Sequence, residues 1–182
     1  MTLGEGKRKV LMIIDEYSSG GIRTVDQDID LKMADFFDLA QRDVAQYKPI
    51  LKNEELTLTG EGACSLPARF KKLYRLWDGT KDVTARATIR GGQLLVPFTG
   101  TLLMEYIADP APVGPETPDE YEFEVAEDAA VCMPYYVSCL QLLVDLVIDY
   151  TPPLGLYDRM VQQLDTSLPG DGSRRIRQAL FR

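Results

Sequence analysis

The period of apolar positions changes along this chain, and the changes divide it. Near the start, Val10, Leu11, Ile13, Ile14 and Tyr17 predict a first helix over about residues 6–17, stopped by Ser18-Ser19-Gly20-Gly21. Met33, Phe36, Phe37, Ala40, Val44 and Tyr47 then fall at i, +3, +4, +7, +11 and +14. That is one stripe on a 3.6-residue repeat, and it predicts a second helix. Asp28 or Asp30 is expected to cap its start, because a short carboxylate accepts from the free backbone N–H groups there. Pro49 ends it by forcing the preceding residue out of the helical region. Asp35, Asp38, Arg42 and Asp43 lie off the stripe, as solvated residues would.

From about Leu56 to Val125 the pattern becomes that of strands. Leu56 to Thr59, Val83 to Ile89, Gln93 to Phe98 and Thr101 to Ile107 are short runs of β-branched, aromatic and aliphatic residues. In the second, Val83, Ala85, Ala87 and Ile89 alternate with Thr84, Arg86, Thr88 and Arg90, which predicts a strand with one wet face. Gly60-Glu61-Gly62, Asp78-Gly79, Gly91-Gly92 and Thr99-Gly100 separate the runs with residues suited to tight turns. Pro97, lacking an N–H, predicts an edge position or a bulge for its strand.

Pro110, Pro112, Pro115 and Pro118 then make a stiff, extended surface segment. It reads either as a connector from sheet to helix or as an interface loop for a neighbour, since stiff segments lose little entropy on binding. After Glu124, Glu127 and Asp128, whose charge suits a helix start, the stretch Val131 to Tyr150 is apolar on nearly every side. It predicts a central, covered helix with a kink or a true start at Pro134. Thr151-Pro152-Pro153 ends it, and a last helix covers about Leu154 to Leu164.

The expected fold class is therefore α+β: a four-helix assembly with a β-rich module inserted between helices 2 and 3, and an extended C-terminal tail. By residue, the helical domain is 1–52 and 126–168, the inserted module 53–125, and the basic arm 169–182.

Composition narrows the chemistry. Among 182 residues there is no histidine, so the commonest general base and metal ligand are both missing. Serine or cysteine catalysis would lack its usual partner, no S-x-x-K occurs, and neither GxxxxGK[ST] nor GxGxxG is present. Asp26-Gln27-Asp28-Ile29-Asp30 alternates acids as a calcium loop does, but lacks the following Gly and the distal Glu. Asp15-Glu16, Glu54-Glu55 and Asp119-Glu120-Tyr121-Glu122 read as solvated charge. Cys64, Cys132 and Cys139 form no CxxC, and the last two are seven residues apart on one helical face, as core residues would be. Free thiols in a reducing compartment are expected. The expectation is a non-enzyme with no cofactor, no metal and no membrane segment, the apolar N-terminal run being too short to read as a signal peptide.

Charge adds one local feature. The net charge is −8, which repels nucleic acid and anionic lipid. Of the 20 basic residues, four are Arg174, Arg175, Arg177 and Arg182, a stretch with no acid that also holds Ile176, Leu180 and Phe181. It reads as a frayed terminus or as a docking arm: Leu and Phe buried on a partner gain about 1.5–3 kcal/mol each, and the guanidinium groups suit acidic surfaces.

Several stretches resemble head-to-tail connector (adaptor, neck) proteins of tailed bacteriophages. They are the acidic lead-in Asp26 to Asp30 with the helix Leu31 to Tyr47 and its Ala40-Gln41-Arg42-Asp43, then Met104 to Pro110, Thr117 to Glu122, Pro134-Tyr135-Tyr136-Val137 and Leu140-Gln141-Leu142-Leu143. The resemblance implies a virion structural protein assembled in the host cytoplasm. It further implies a homo-oligomeric ring, often of twelve subunits, beneath the portal protein and in contact with tail and neck proteins. Genome DNA would pass through that ring without sequence-specific binding, and an acidic lumen would repel it. Other expectations are a different virion structural protein (tail completion, terminator, capsid accessory or fibre base), or, from another class, an enzyme or small-ligand module.

Overall fold

A computed structural model describes residues 1–14, 27–58, 62–145 and 150–168. The protein is α+β and splits into two compact units, residues 1–49 with 110–182 and residues 50–109. The inserted module thus ends at Asp109, earlier than the expected 125, because residues 110–125 pack with the helices.

The helical unit contains α1 (Leu3–Ile13), α2 (Gln27–Tyr47), a four-residue α3 (Glu127–Ala130), α4 (Met133–Asp145) and α5 (Thr151–Gln163). α1 starts three residues earlier than predicted because Thr2 and Glu5 form a reciprocal capping box. Its predicted end, residues 15–17, and the break at 18–21 lie outside the described residues. α2 extends back past Asp28 and Asp30. Both therefore lie inside the helix and not at the residue before its start, where they were expected. Most of its predicted stripe is the buried face: Met33, Phe37, Ala40 and Val44 are all at most 1 % exposed, whereas Phe36 is half-buried and Tyr47, expected on the stripe, is exposed in the last turn.

α4 is the central helix, in contact with α1, α2 and α5. Its first residue is Met133, so Pro134 sits in the first turn, where its missing N–H costs nothing. Val137, Cys139 and Leu142 are buried, and the Ser138 hydroxyl returns 2.7 Å to the Pro134 carbonyl. Thr151-Pro152-Pro153, expected to close this helix, instead opens α5, with proline in its first turn. Residues 146–149 lie outside the described residues.

The second unit is β-rich, with two antiparallel sheets. Strands β1 (Ile50–Leu58), β2 (Ala63–Ser65), β3 (Phe70–Asp78), β4 (Lys81–Asp82), β5 (Thr88–Arg90), β6 (Gln93–Leu95) and β7 (Gly100–Ala108) form one sheet in the order β1-β7-β3-β4 and another in the order β2-β6-β5. β1 and β7 pair over nine residues, from Ile50 opposite Ala108 to Leu58 opposite Gly100. The core of this unit holds Leu56, Leu58, Leu76, Leu94, Leu102 and Met104. Gly91 and Gly92, at φ 58° and 74°, supply the two positive-φ positions of a tight turn between Arg90 and Gln93.

Two strand expectations are corrected here. Residues Thr84–Arg86 form a 3-10 turn, not a strand, and the strand covers Thr88–Arg90 alone. The cause is local polar capture. The Thr84 N–H and hydroxyl both donate to Asp82, at 2.9 and 2.6 Å, and the Thr84 oxygen accepts the Leu76 N–H at 2.7 Å. Pro97 is in neither an edge strand nor a bulge: β6 ends at Leu95, before it, and is the middle strand of its sheet.

Candidate interaction surface

Residues 110–125 form a strap laid across the helices, and its construction starts from backbone groups that need partners. The Ala111 carbonyl accepts from the Gln41 side chain at 2.6 Å, and the Ala111 N–H donates to Glu124 at 3.0 Å. The Val113 N–H donates to the Asp38 carboxylate at 2.9 Å. Gly114 and Thr117 close a small turn: the Gly114 N–H reaches the Thr117 hydroxyl at 3.0 Å and the Thr117 N–H reaches the Gly114 carbonyl at 2.9 Å.

Further along, the strap supplies what the start of α1 lacks. A helix leaves its first amides without partners. Here the Leu3 N–H donates to the Tyr121 carbonyl and the Gly4 N–H to the Asp119 carbonyl, both at 2.9 Å. Lys7, on the next turn, is buried and pairs with the Asp119 carboxylate at 2.9 Å. Glycine is needed at position 4, because a Cβ there would lie 2.9 Å from that of Asp119. Side chains finish the attachment: Pro110, Val113, Phe123 and Val125 are buried, with the Phe123 ring packed at a tilt 5.4 Å from that of Phe37 of α2.

The outward side carries the other prolines. Pro112, Pro115 and Pro118 are exposed, and so are Glu116, Asp119 and Glu120. Of the four prolines singled out in the sequence, Pro110 therefore packs inward and three face outward. The arm residues Arg174, Arg175, Ile176, Arg177, Leu180, Phe181 and Arg182 lie outside the described residues.

Sequence reasoning missed the strap's anchors. Asp38 was expected to be solvated, yet it accepts from Arg42 at 2.7 Å and from Gln41 at 2.9 Å as well as from Val113. Burial pulls its carboxyl upward, but those donors together hold it below the ordinary value. Asp43 is likewise engaged, accepting from the buried Tyr157 hydroxyl of α5, whose ring lies 5.0 Å from that of Tyr136. Asp35 alone of the three acids is exposed. The available signal was the pairing of a carboxylate with Gln and Arg three and four positions on, which fixes a side chain on a helix surface.

The remaining reactive groups are poorly placed for chemistry. Cys132 and Cys139 are buried, and each thiol approaches the carbonyl four residues back, at 3.4 and 3.0 Å. Burial pushes the Cys139 thiol up to about 11, away from thiolate reactivity. Among the described residues, no group of three or more Cys, Asp or Glu side chains is set to hold a metal ion. No helix of the described residues is long and apolar enough to cross a membrane. No family model matches this chain, and the search of curated proteins returned no match.

Proposed function

We propose that the protein is a virion structural component, a head-to-tail adaptor that forms a ring, of twelve subunits in the form the resemblance implies, beneath a portal and joins capsid to tail. The observation that supports this best is the strap. Five hydrogen bonds and ion pairs described above lock it to α1 and α2, three more brace it internally, and it displays three prolines among acids. A preorganised, stiff surface loses little entropy when a partner covers it, which suits a permanent assembly better than a pocket that must open for turnover. The acidic balance of the chain suits a conduit that DNA crosses without being gripped.

On this reading the arm, with Arg174, Arg175, Arg177 and Arg182 around Ile176, Leu180 and Phe181, docks on an acidic neighbour. The test is the particle. A density map of assembled virions should place this chain in a closed ring between portal and tail, and a chain ending at residue 172 should fail to enter particles. A position elsewhere in the virion would favour the tail-completion, terminator, capsid-accessory or fibre-base reading. Full-length protein that never joins a larger particle, or that turns over a ligand, would end the proposal.

A further inference from the structure

Among the described residues, the helical unit carries an apolar groove that its helices do not fill. Lys9, Met12 and Ile13 of α1 face Val131, Pro134 and Tyr135 across an open volume of about 250 Å³. Met12 is 63 % exposed and Val131 38 %, so the groove holds apolar area in water. Its α1 rim is basic: beside Glu5 stand Arg8 and Lys9, both exposed, whereas Lys7 turns inward to Asp119.

A surface of the opposite character lies on α2. Leu31, Asp35 and Leu39 stand at i, i+4 and i+8, one line along the outer face, and all three are exposed, the two leucines by 55 % and 51 %. The leucines are about 12 Å apart along the axis, close to the span between the outer anchors of a helix laid in a groove. Between them Asp35 supplies a negative charge, on a helix holding five Asp against Lys32 and Arg42.

We propose that the Leu31-Asp35-Leu39 face of α2 on one copy of this chain occupies the α1–α4 groove of the next, with Asp35 meeting Arg8 and Lys9. Charge decides between the occupants. Groove against groove, as a two-fold dimer would have it, sets Arg8 and Lys9 against their own copies. The C-terminal arm would add four more arginines. The α2 face brings both the apolar anchors and the opposite charge. Because the two faces differ, each copy keeps one of each free, and the contact propagates head to tail until it closes. This inference rests on the reading of the chain as a self-assembling protein and names the contact that would build the ring.

The test introduces one cysteine on each face of the full chain, Met12→Cys with Leu39→Cys, followed by mild oxidation and peptide mapping. The expected result is a ladder of dimers, trimers and larger species joined 12 to 39, with neither single variant giving a 12–12 or 39–39 link. Lys9→Glu in this background should cut the yield about tenfold, and Asp35→Lys added to it should restore the yield. A 12–12 link from Met12→Cys alone would overturn the proposal in favour of a two-fold dimer. No ladder, with native mass spectrometry still showing wild-type rings, would overturn this contact and leave the ring reading standing. A ladder that forms while no closed ring is ever found would support the contact and sink the ring.

Discussion

Asp38, midway along α2, accepts the backbone N–H of Val113 at 2.9 Å across 75 positions of sequence. That single carboxylate also takes the Gln41 amide and the Arg42 guanidinium, so one turn of helix both holds the strap and is braced by it. Asp38→Ala should leave the Val113 amide and the Gln41 side chain short of a partner. The expected loss is about 2–3 kcal/mol, on the scale of charge-assisted hydrogen bonds at a part-buried site. Urea denaturation measures it, and hydrogen exchange at Val113 should rise well before that of the α4 amides.

Acid should weaken the helical unit through the same group. Asp38 sits below its ordinary value in the folded protein, as does Asp128, which is held down chiefly by the Lys48 ammonium. In the unfolded chain a carboxylate of this type titrates near about 3.9. The unfolded state therefore binds more protons through that region, and the stabilisation is full above it and is lost as pH falls through the folded values. Stability measured from pH 6 down to 2 should fall, and Asp38→Asn should flatten the slope.

At the alkaline end Tyr157 dominates. Burial first, and then its hydrogen bond to Asp43, raises its hydroxyl far above the ordinary value, and burial with the Asp43 charge raises Tyr136. The unfolded chain ionises these groups near about pH 10, so stability present below that pH is lost above it. In a spectrophotometric titration of the native protein, Tyr136 and Tyr157 should ionise above the range of a free tyrosine, Tyr157 together with unfolding. Tyr157→Phe should advance the Tyr136 step no further than removal of one partner allows, while costing about 1–2 kcal/mol at neutral pH.

Two glycines on helices should respond in opposite directions. A Cβ on Gly6 of α1 would lie 2.7 Å from the Phe37 ring, which is fully buried and packed against Phe123 and so cannot yield. Gly6→Ala should destabilise by about 1–3 kcal/mol despite the better helix former. Gly155 of α5 has nothing within 4 Å of the corresponding position, and Gly155→Ala should stabilise by about 0.5–1 kcal/mol. Thermal melts of the pair decide it.

The thiols should be protected in proportion to their burial. Burial raises all three thiols, but Cys132 and Cys139 are enclosed in the helical unit, whereas Cys64 is only partly covered. A disulfide reagent at pH 8 should modify Cys64 first, and the other two only when denaturant opens the fold.

What the chain determined unaided is its local grammar. The 3.6-residue stripe from Met33 to Val44, the apolar run that became α4, the glycine pair of the 91–92 turn and the α+β class are all written in neighbouring residues, since each depends on period or on backbone freedom. Tertiary structure decided the partners. Asp38 and Asp43 look like surface acids until Val113 and Tyr157 arrive from distant positions, and the segment 110–125 looks like a connector until the free amides of α1 and α2's side chains claim its carbonyls and N–H groups. Likewise the alternation at 83–89 predicts a strand, and it yields to a turn because Asp82 and Thr84 satisfy one another and the Leu76 amide. Periodicity records which face of an element is buried. Which polar group it will meet there depends on chain that folds in from elsewhere, and no local pattern carries that information.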